Sequence, residues 1–68
     1  MNKRFILTLW SEWHGEDIET HEVDCSRLDA ENTLADMWNG SAAVTAERGR
    51  YRAELRERGQ RRALSIIS

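Results

Sequence analysis

Residues 3–13, Lys3-Arg4-Phe5-Ile6-Leu7-Thr8-Leu9-Trp10-Ser11-Glu12-Trp13, run through the turn-like His14-Gly15-Glu16-Asp17 into Ile18-Glu19-Thr20-His21-Glu22-Val23-Asp24-Cys25-Ser26. The first stretch sets Phe5, Leu7 and Leu9 on one side and Ile6, Thr8, Trp10 and Glu12 on the other, the period of two of a half-buried β-strand. Gly15 takes a positive φ without a Cβ penalty, so the chain is expected to reverse there. Residues 18–26 read as the returning strand, with Val23 and Cys25 alternating against polar neighbours. Residues directly opposite each other in a hairpin face the same side. Leu9 is therefore expected to oppose Val23, and Leu7 to oppose Cys25, across a three-residue loop of Gly15, Glu16 and Asp17. A two-residue loop would set Leu9 against Glu22 and turn carboxylates into the core.

Outward from the hairpin, Ser26 or Asp29 begins a helix in which Leu28, Leu34, Met37 and Trp38 recur at helical spacing. Asp29 and Glu31 fall in its first turn, where the helix dipole favours negative charge, and Asn39-Gly40 is a stop signal. Beyond Ser41 the composition and the pattern disagree. Ala, Glu and Arg favour a second helix over 42–58, whereas Tyr51, Ala53 and Leu55 alternate with Arg50, Arg52, Glu54 and Arg56 as in a strand. The alternation favours strands near 43–47 and 50–57, a turn at Arg58-Gly59-Gln60 and a last strand near 61–67. The expected fold is α+β: a small antiparallel sheet with one helix packed on one face, ββα followed by two or three strands, with residues 1–68 forming one domain.

A chain of 68 residues buries only about 60 % of the surface it exposes when unfolded. Such a core is one helical layer on one sheet, without room for an enclosed substrate cavity, which weighs against catalysis. Cys25 is the one cysteine, so no internal disulfide forms, and a reducing cytoplasm is the expected compartment. The run Phe5-Ile6-Leu7 is interrupted by Thr8 and ends at Ser11 and Glu12, too short for a leader or a membrane span.

No catalytic or metal motif emerges. His14, His21 and Cys25 are ligand types, but zinc sites are built from paired short spacings, and one cysteine does not supply them. A nucleophile at Cys25 with His21 as base lacks an oxyanion loop, and a thiol facing the core is inert. No cofactor and no metal are expected.

Charge is the informative feature. The net charge of −2 divides into nine acids against three bases in residues 1–40 and three acids against seven arginines in 41–68. Glu12, Glu16, Asp17, Glu19, Glu22 and Asp24 lie on or beside the hairpin, and Asp29, Glu31 and Asp36 continue onto the helix. Same-face carboxylates on a strand, such as Glu22 and Asp24, repeat every ~6.6–6.8 Å, a stride comparable with the step between phosphates in a nucleic acid. An array of this kind fits a cationic groove built for DNA or RNA. The competing expectation is a solvated face neutralised by the molecule's own arginines: with 50–57 as a strand, Arg50, Arg52 and Arg56 share a face with Glu54 and could pair with Glu22 and Asp24. Trp38 is expected in the core and Trp13 partly buried. Trp10, on the far side of the sheet, is either packed beneath a long arginine or an exposed anchor for a partner.

A short, cysteine-poor chain with this acidic hairpin and helix resembles the small anti-CRISPR proteins of bacteriophages. The residues carrying the resemblance are Glu12, Glu16, Asp17, Glu19, Glu22, Asp24, Asp29, Glu31 and Asp36, and the arginine-rich second half departs from a uniformly acidic DNA mimic. The resemblance implies a non-catalytic inhibitor in the bacterial host cell, binding a type I CRISPR surveillance complex and blocking target DNA. Trp10 joins those nine acids as the expected partner-binding set. The alternative is a nucleic-acid-binding regulator that uses Arg48, Arg50, Arg52, Arg56 and Arg58 on phosphates. A third is self-association, monomer to weak homo-oligomer, through oppositely charged ends.

Overall fold

The computed structural model describes residues 3–68, Arg48 by its backbone alone. Strand β1 spans Lys3–Ser11 and β2 Glu16–Cys25; helix α1 spans Arg27–Gly40 and a short helix α2 Ala42–Ala46. A single 3-10 turn, Arg48–Arg50, leads into β3, Tyr51–Glu57, and β4, Ser65–Ile67, completes the chain. The four strands form one antiparallel sheet in the order β2-β1-β3-β4. Helix α1 covers one face, so the fold is α+β as the hydrophobic pattern predicts.

The core follows from the two periodicities. Phe5, Leu7 and Leu9 of β1 and Ala53 and Leu55 of β3 meet Ala30, Leu34 and Trp38 of α1, all buried. Ala30, Leu34 and Trp38 stand four residues apart, one stripe along the helix. Leu28, expected in the core, is 67% exposed; it lies roughly 120° round the helix from Leu34 and misses the stripe. Ser26 caps α1 by accepting a hydrogen bond from the Asp29 backbone N–H at 3.2 Å.

The hairpin register departs from expectation. Leu9 opposes Glu19, Leu7 opposes His21 and Phe5 opposes Val23. The loop runs from Glu12 to Gly15, closed by the Gly15 N–H donating to the Ser11 carbonyl at 2.9 Å, with Gly15 at φ 64. Pairing then steps from Leu9–Glu19 to Trp10–Asp17, so Ile18 is extruded as a bulge. The slip is four residues, an even number, so Val23 and Cys25 keep the helix side of the sheet. The objection to carboxylates on that side fails because β2 is an edge strand beyond the helix's main cover, and Glu19 there remains in solvent. Strand β1 also stops at Ser11, which leaves Trp13 in the loop at 55% exposure and not partly buried.

Residues 43–47, expected as a strand, are helical or cap a helix. Ser41 ends α1 and begins α2, its hydroxyl accepting from the Val44 N–H at 3.3 Å. Helix propensity prevails in a stretch with no sheet slot beside it, and one turn suffices to bury Val44. The last strand is three residues, not seven, because Arg61 and Arg62 stay in solvent before it pairs. The turn at Arg58-Gly59-Gln60 forms as expected, with Gly59 at φ 87 and the Gln60 N–H bonded to the Glu57 carbonyl at 2.9 Å. Among the described residues no helix is long and apolar enough to cross a membrane.

Leu34→Ala should therefore cost about 2–5 kcal/mol, whereas Leu28→Ala should change stability by no more than about 0.5 kcal/mol. Urea unfolding of both variants checks the stripe; equal losses would place Leu28 in the core.

Candidate protein-docking surface

The order β2-β1-β3-β4 leaves the acidic strand β2 at one edge of the sheet, with β1 between it and the arginine-bearing β3. Strand β2 has β1 on one side and solvent on the other, and residues 16–22 are all exposed. Its sequence Glu-Asp-Ile-Glu-Thr-His-Glu-Val-Asp-Cys holds five carboxylates and no lysine or arginine. Two backbone bonds fix which groups face out. The Arg4 carbonyl accepts from the Arg58 N–H and the Glu12 N–H donates to the Arg50 carbonyl, both at 2.9 Å. Even-numbered residues of β1 thus turn their backbone to β3 and odd-numbered ones to β2. By the alternation of an antiparallel ladder, His21, Val23 and Cys25 bond to β1 while Thr20, Glu22 and Asp24 present free N–H and C=O groups outward.

Beside this edge, on the helix side, a shallow groove of about 420 Å³ is lined by Glu19, His21, Glu22, Val23, Thr33, Asp36 and Met37. Val23 and Met37 are half-buried and form its apolar floor, packed against the core. Glu19 sits on its lip with the His21 Nε2 at 2.6 Å from its carboxylate. Val23 and Met37 read from the sequence as core; their role as a floor depends on β2 being an edge, which periodicity does not reveal.

The predicted acidic residues distribute unevenly over this surface. Glu16, Asp17, Glu19, Glu22 and Asp24 lie on β2, and Asp36 joins Glu19 and Glu22 at the groove. Asp29 lies in the first turn of α1, and Glu12 in the hairpin loop, both exposed. Glu31 turns away, toward β4: it accepts from the Ser65 hydroxyl at 2.6 Å and pairs with Arg27 at 3.6 Å. It ties helix to sheet and stands apart from the acidic edge.

Internal neutralisation is partial and takes a route other than the one expected. Arg50, Arg52 and Arg56 form no ion pair with Glu22 or Asp24. Arg4 and Arg58 hold Glu22 instead, at 3.4 and 3.3 Å. Lys3 pairs with Glu57 at 3.7 Å. Among the described residues Glu12, Glu16, Asp17, Asp24, Asp29 and Asp36 have no ion-pair partner within 4.0 Å. The carboxylate field of the edge is left largely intact.

The arginines are occupied differently. The Arg52 guanidinium lies 4.6 Å from the centre of the Trp10 ring and Arg50 lies 4.4 Å from that of Trp13. Trp10 is half-buried beneath that side chain on the open sheet face. The Arg52 Nε, 3.7 Å from a Glu54 oxygen, is buried without a hydrogen-bond partner. Arg52, Arg56 and Arg61 line a polar hollow of about 230 Å³ with Thr8, Trp10, Asp17, Glu54 and Ala63. The side chain of Arg48 lies outside the described residues. Among the described residues no group of three or more His, Cys, Asp and Glu side chains is placed to hold a metal ion. No family model, curated protein or solved structure matches this chain.

Arg50→Ala, in an exposed stack, should cost about 0.5–1 kcal/mol, and Arg52→Ala, in the more covered one, about 2 kcal/mol. Urea unfolding measures both; the reverse order would mean that the stacks do not set the difference.

Proposed function

We propose that this protein is a non-catalytic inhibitor that lays its acidic β2–α1 surface against the cationic groove of a nucleic-acid-binding protein. The observation that carries the proposal is the open edge strand, with five carboxylates and no lysine or arginine between Glu16 and Cys25. Along the open face of the sheet Glu22 and Asp24 stand ~6.6–6.8 Å apart, and round the edge, on the helix side, Glu19 and Asp36 at the groove and Asp29 on α1 continue the negative surface. A groove lined with lysine and arginine draws such a surface by the same long-range field that draws a phosphate backbone. The resemblance to small anti-CRISPR proteins supplies a specific target, the type I RNA-guided surveillance complex of the bacterial host cell. The mechanism is stoichiometric occlusion of target DNA.

Direct binding of nucleic acid by the arginine half is less well supported. Arg50 and Arg52 are stacked on Trp13 and Trp10, and Arg58 is held by Glu22. Glu54 and Asp17 stand among the arginines of the hollow, where carboxylates would repel a phosphate.

In native gels of a purified type I surveillance complex with its target duplex, adding the protein should release the DNA near equimolar ratio, and the protein alone should shift no DNA. The double variant Asp24→Arg/Asp36→Arg should be at least about tenfold less potent with an unchanged thermal midpoint, since among the described residues neither carboxylate has an ion-pair partner to lose. Retention of the duplex at excess protein would reject the type I complex as target. Failure to retain any salt-eluted nucleic-acid-binding protein from a bacterial lysate would reject the wider proposal.

A further inference from the structure

We infer that the edge of β2 recognises an extended, basic segment of its protein partner by strand addition, with the groove beside it taking that segment's apolar side chains. This deepens the docking function proposed above and rests on it. Three independent features converge on one line of the surface. Thr20, Glu22 and Asp24 turn unpaired N–H and C=O groups outward, enough backbone for an added strand to pair along the exposed middle of β2. Strands that gain a neighbour in this way draw affinity from main-chain hydrogen bonds and specificity from alternate side chains.

The side-chain chemistry of the occupant follows from the pleat. A residue placed directly opposite Glu22 or Asp24 faces the open side of the sheet, beside those carboxylates. Asp24 has no ion-pair partner among the described residues, so a lysine or arginine there gains a contact and displaces none. A residue opposite His21 or Val23 faces the helix side and lies over the groove floor of Val23 and Met37, rimmed by Glu19, Thr33 and Asp36. The occupant is therefore an alternation of basic and apolar residues. Edge strands are ordinarily protected from such pairing by charge. Here the protection is of one sign, so it repels a second β2 edge, where like charges would stand opposite one another, and admits a cationic strand.

The other free edge differs in kind. Strand β4 offers only Ser65–Ile67, preceded by Arg61 and Arg62. A head-to-tail contact between β4 of one copy and β2 of the next would have the right signs but few backbone groups, and it is the competing occupant that an experiment must separate.

The test uses the whole protein, isotope-labelled, with a ten-residue blocked peptide alternating lysine and valine. A lysine–serine peptide of equal charge and a glutamate–valine peptide serve as controls. The lysine–valine peptide is expected to slow amide exchange at Thr20, Glu22 and Asp24 and to shift the Val23 and Met37 methyl signals. The lysine–serine peptide should bind about tenfold more weakly, having lost the apolar side chains that the groove buries, and the glutamate–valine peptide should not bind. Thr20→Pro removes one outward N–H from an edge position where proline is tolerated; it should weaken the lysine–valine peptide about five- to tenfold. Binding that leaves the three amides unprotected would overturn strand addition, and so would a Thr20→Pro variant that folds and binds as the parent does. Protection of those amides without peptide, together with a larger species on sizing, would assign the edge to a second copy. Should Thr20→Pro still displace target DNA while Asp24→Arg/Asp36→Arg does not, acidic docking stands and strand addition falls. Should the peptide protect the edge while no cationic nucleic-acid-binding protein is retained, strand addition stands and the inhibitor function falls.

Discussion

Helix α1 rests on the two central strands, with Leu34, Ala30 and Trp38 pressed against Phe5, Leu7 and Leu9 of β1 and Ala53 and Leu55 of β3. In a chain this small, that one apolar layer must offset most of the entropy lost on folding. The remaining geometry is a consequence. Since β1 and β3 take the centre under the helix, β2 is left at one edge and β4 at the other. Ala53, opposite Leu9 with no exposed surface, leaves the space in which helix and sheet approach. A larger residue there would force the packed elements apart and open the seam on which both edges depend.

The same arrangement turns a sequence asymmetry into a spatial one. The acidic hairpin strand and the arginine-bearing β3 are separated by β1, and among the described residues no arginine within β3 forms an ion pair with a carboxylate of β2. What neutralisation exists runs through residues at strand ends, Arg4 and Arg58 on Glu22, in exposed pairs that contribute ~0–1 kcal/mol each. Two arginines stack on tryptophans, Arg52 while also pairing with Glu54 on its own strand. Trp10 and Trp13 come from the end of β1 and its loop, Arg50 from the 3-10 turn before β3 and Arg52 from the start of β3, so these stacks hold the hairpin end of the sheet against its neighbour. The tryptophan and arginine content of the chain thereby acquires a local structural use, and the carboxylates of β2 are left facing solvent.

Much of this was legible in the sequence, and the failures have identifiable causes. Strand periodicity places Phe5, Leu7 and Leu9 inward, and Tyr51, Ala53 and Leu55 likewise, because a period of two is a direct imprint of the pleat. The hairpin register slips by four because side-chain alternation constrains parity alone; loop length and the Ile18 bulge depend on the Gly15 turn, which allows several closures. Residues 43–47, expected as a strand, fold as the helix Ala42–Ala46 and its cap, because a single turn with one apolar residue, Val44, to bury carries too little pattern to separate the two. Strand order decides whether Glu22 meets an arginine of β3, and no local pattern encodes it. The acidic set is legible as composition, yet Glu31 leaves it for Ser65 and Arg27, and the apolar groove of Val23 and Met37 joins it, only once helix and edge strand are placed together.

An exposed edge ten residues long is a hazard for a small domain, since free backbone groups invite pairing with any extended chain. Shortening the strand, covering it or bulging it away would remove the hazard, and here only its loop end, at Ile18, is bulged. The middle of the strand stays regular from Glu19 to Cys25, which keeps Thr20, Glu22 and Asp24 in line. Charge alone guards that part, and a guard of single sign discriminates among partners instead of excluding all of them. Val23 and Met37 are half-buried against the core, so the groove they floor is supported by packing already present and requires no separate stabilisation. A regular, acidic, backbone-open edge beside an apolar groove is thus compatible with the stability of so small a fold, and its chemistry favours a cationic extended partner over a copy of itself.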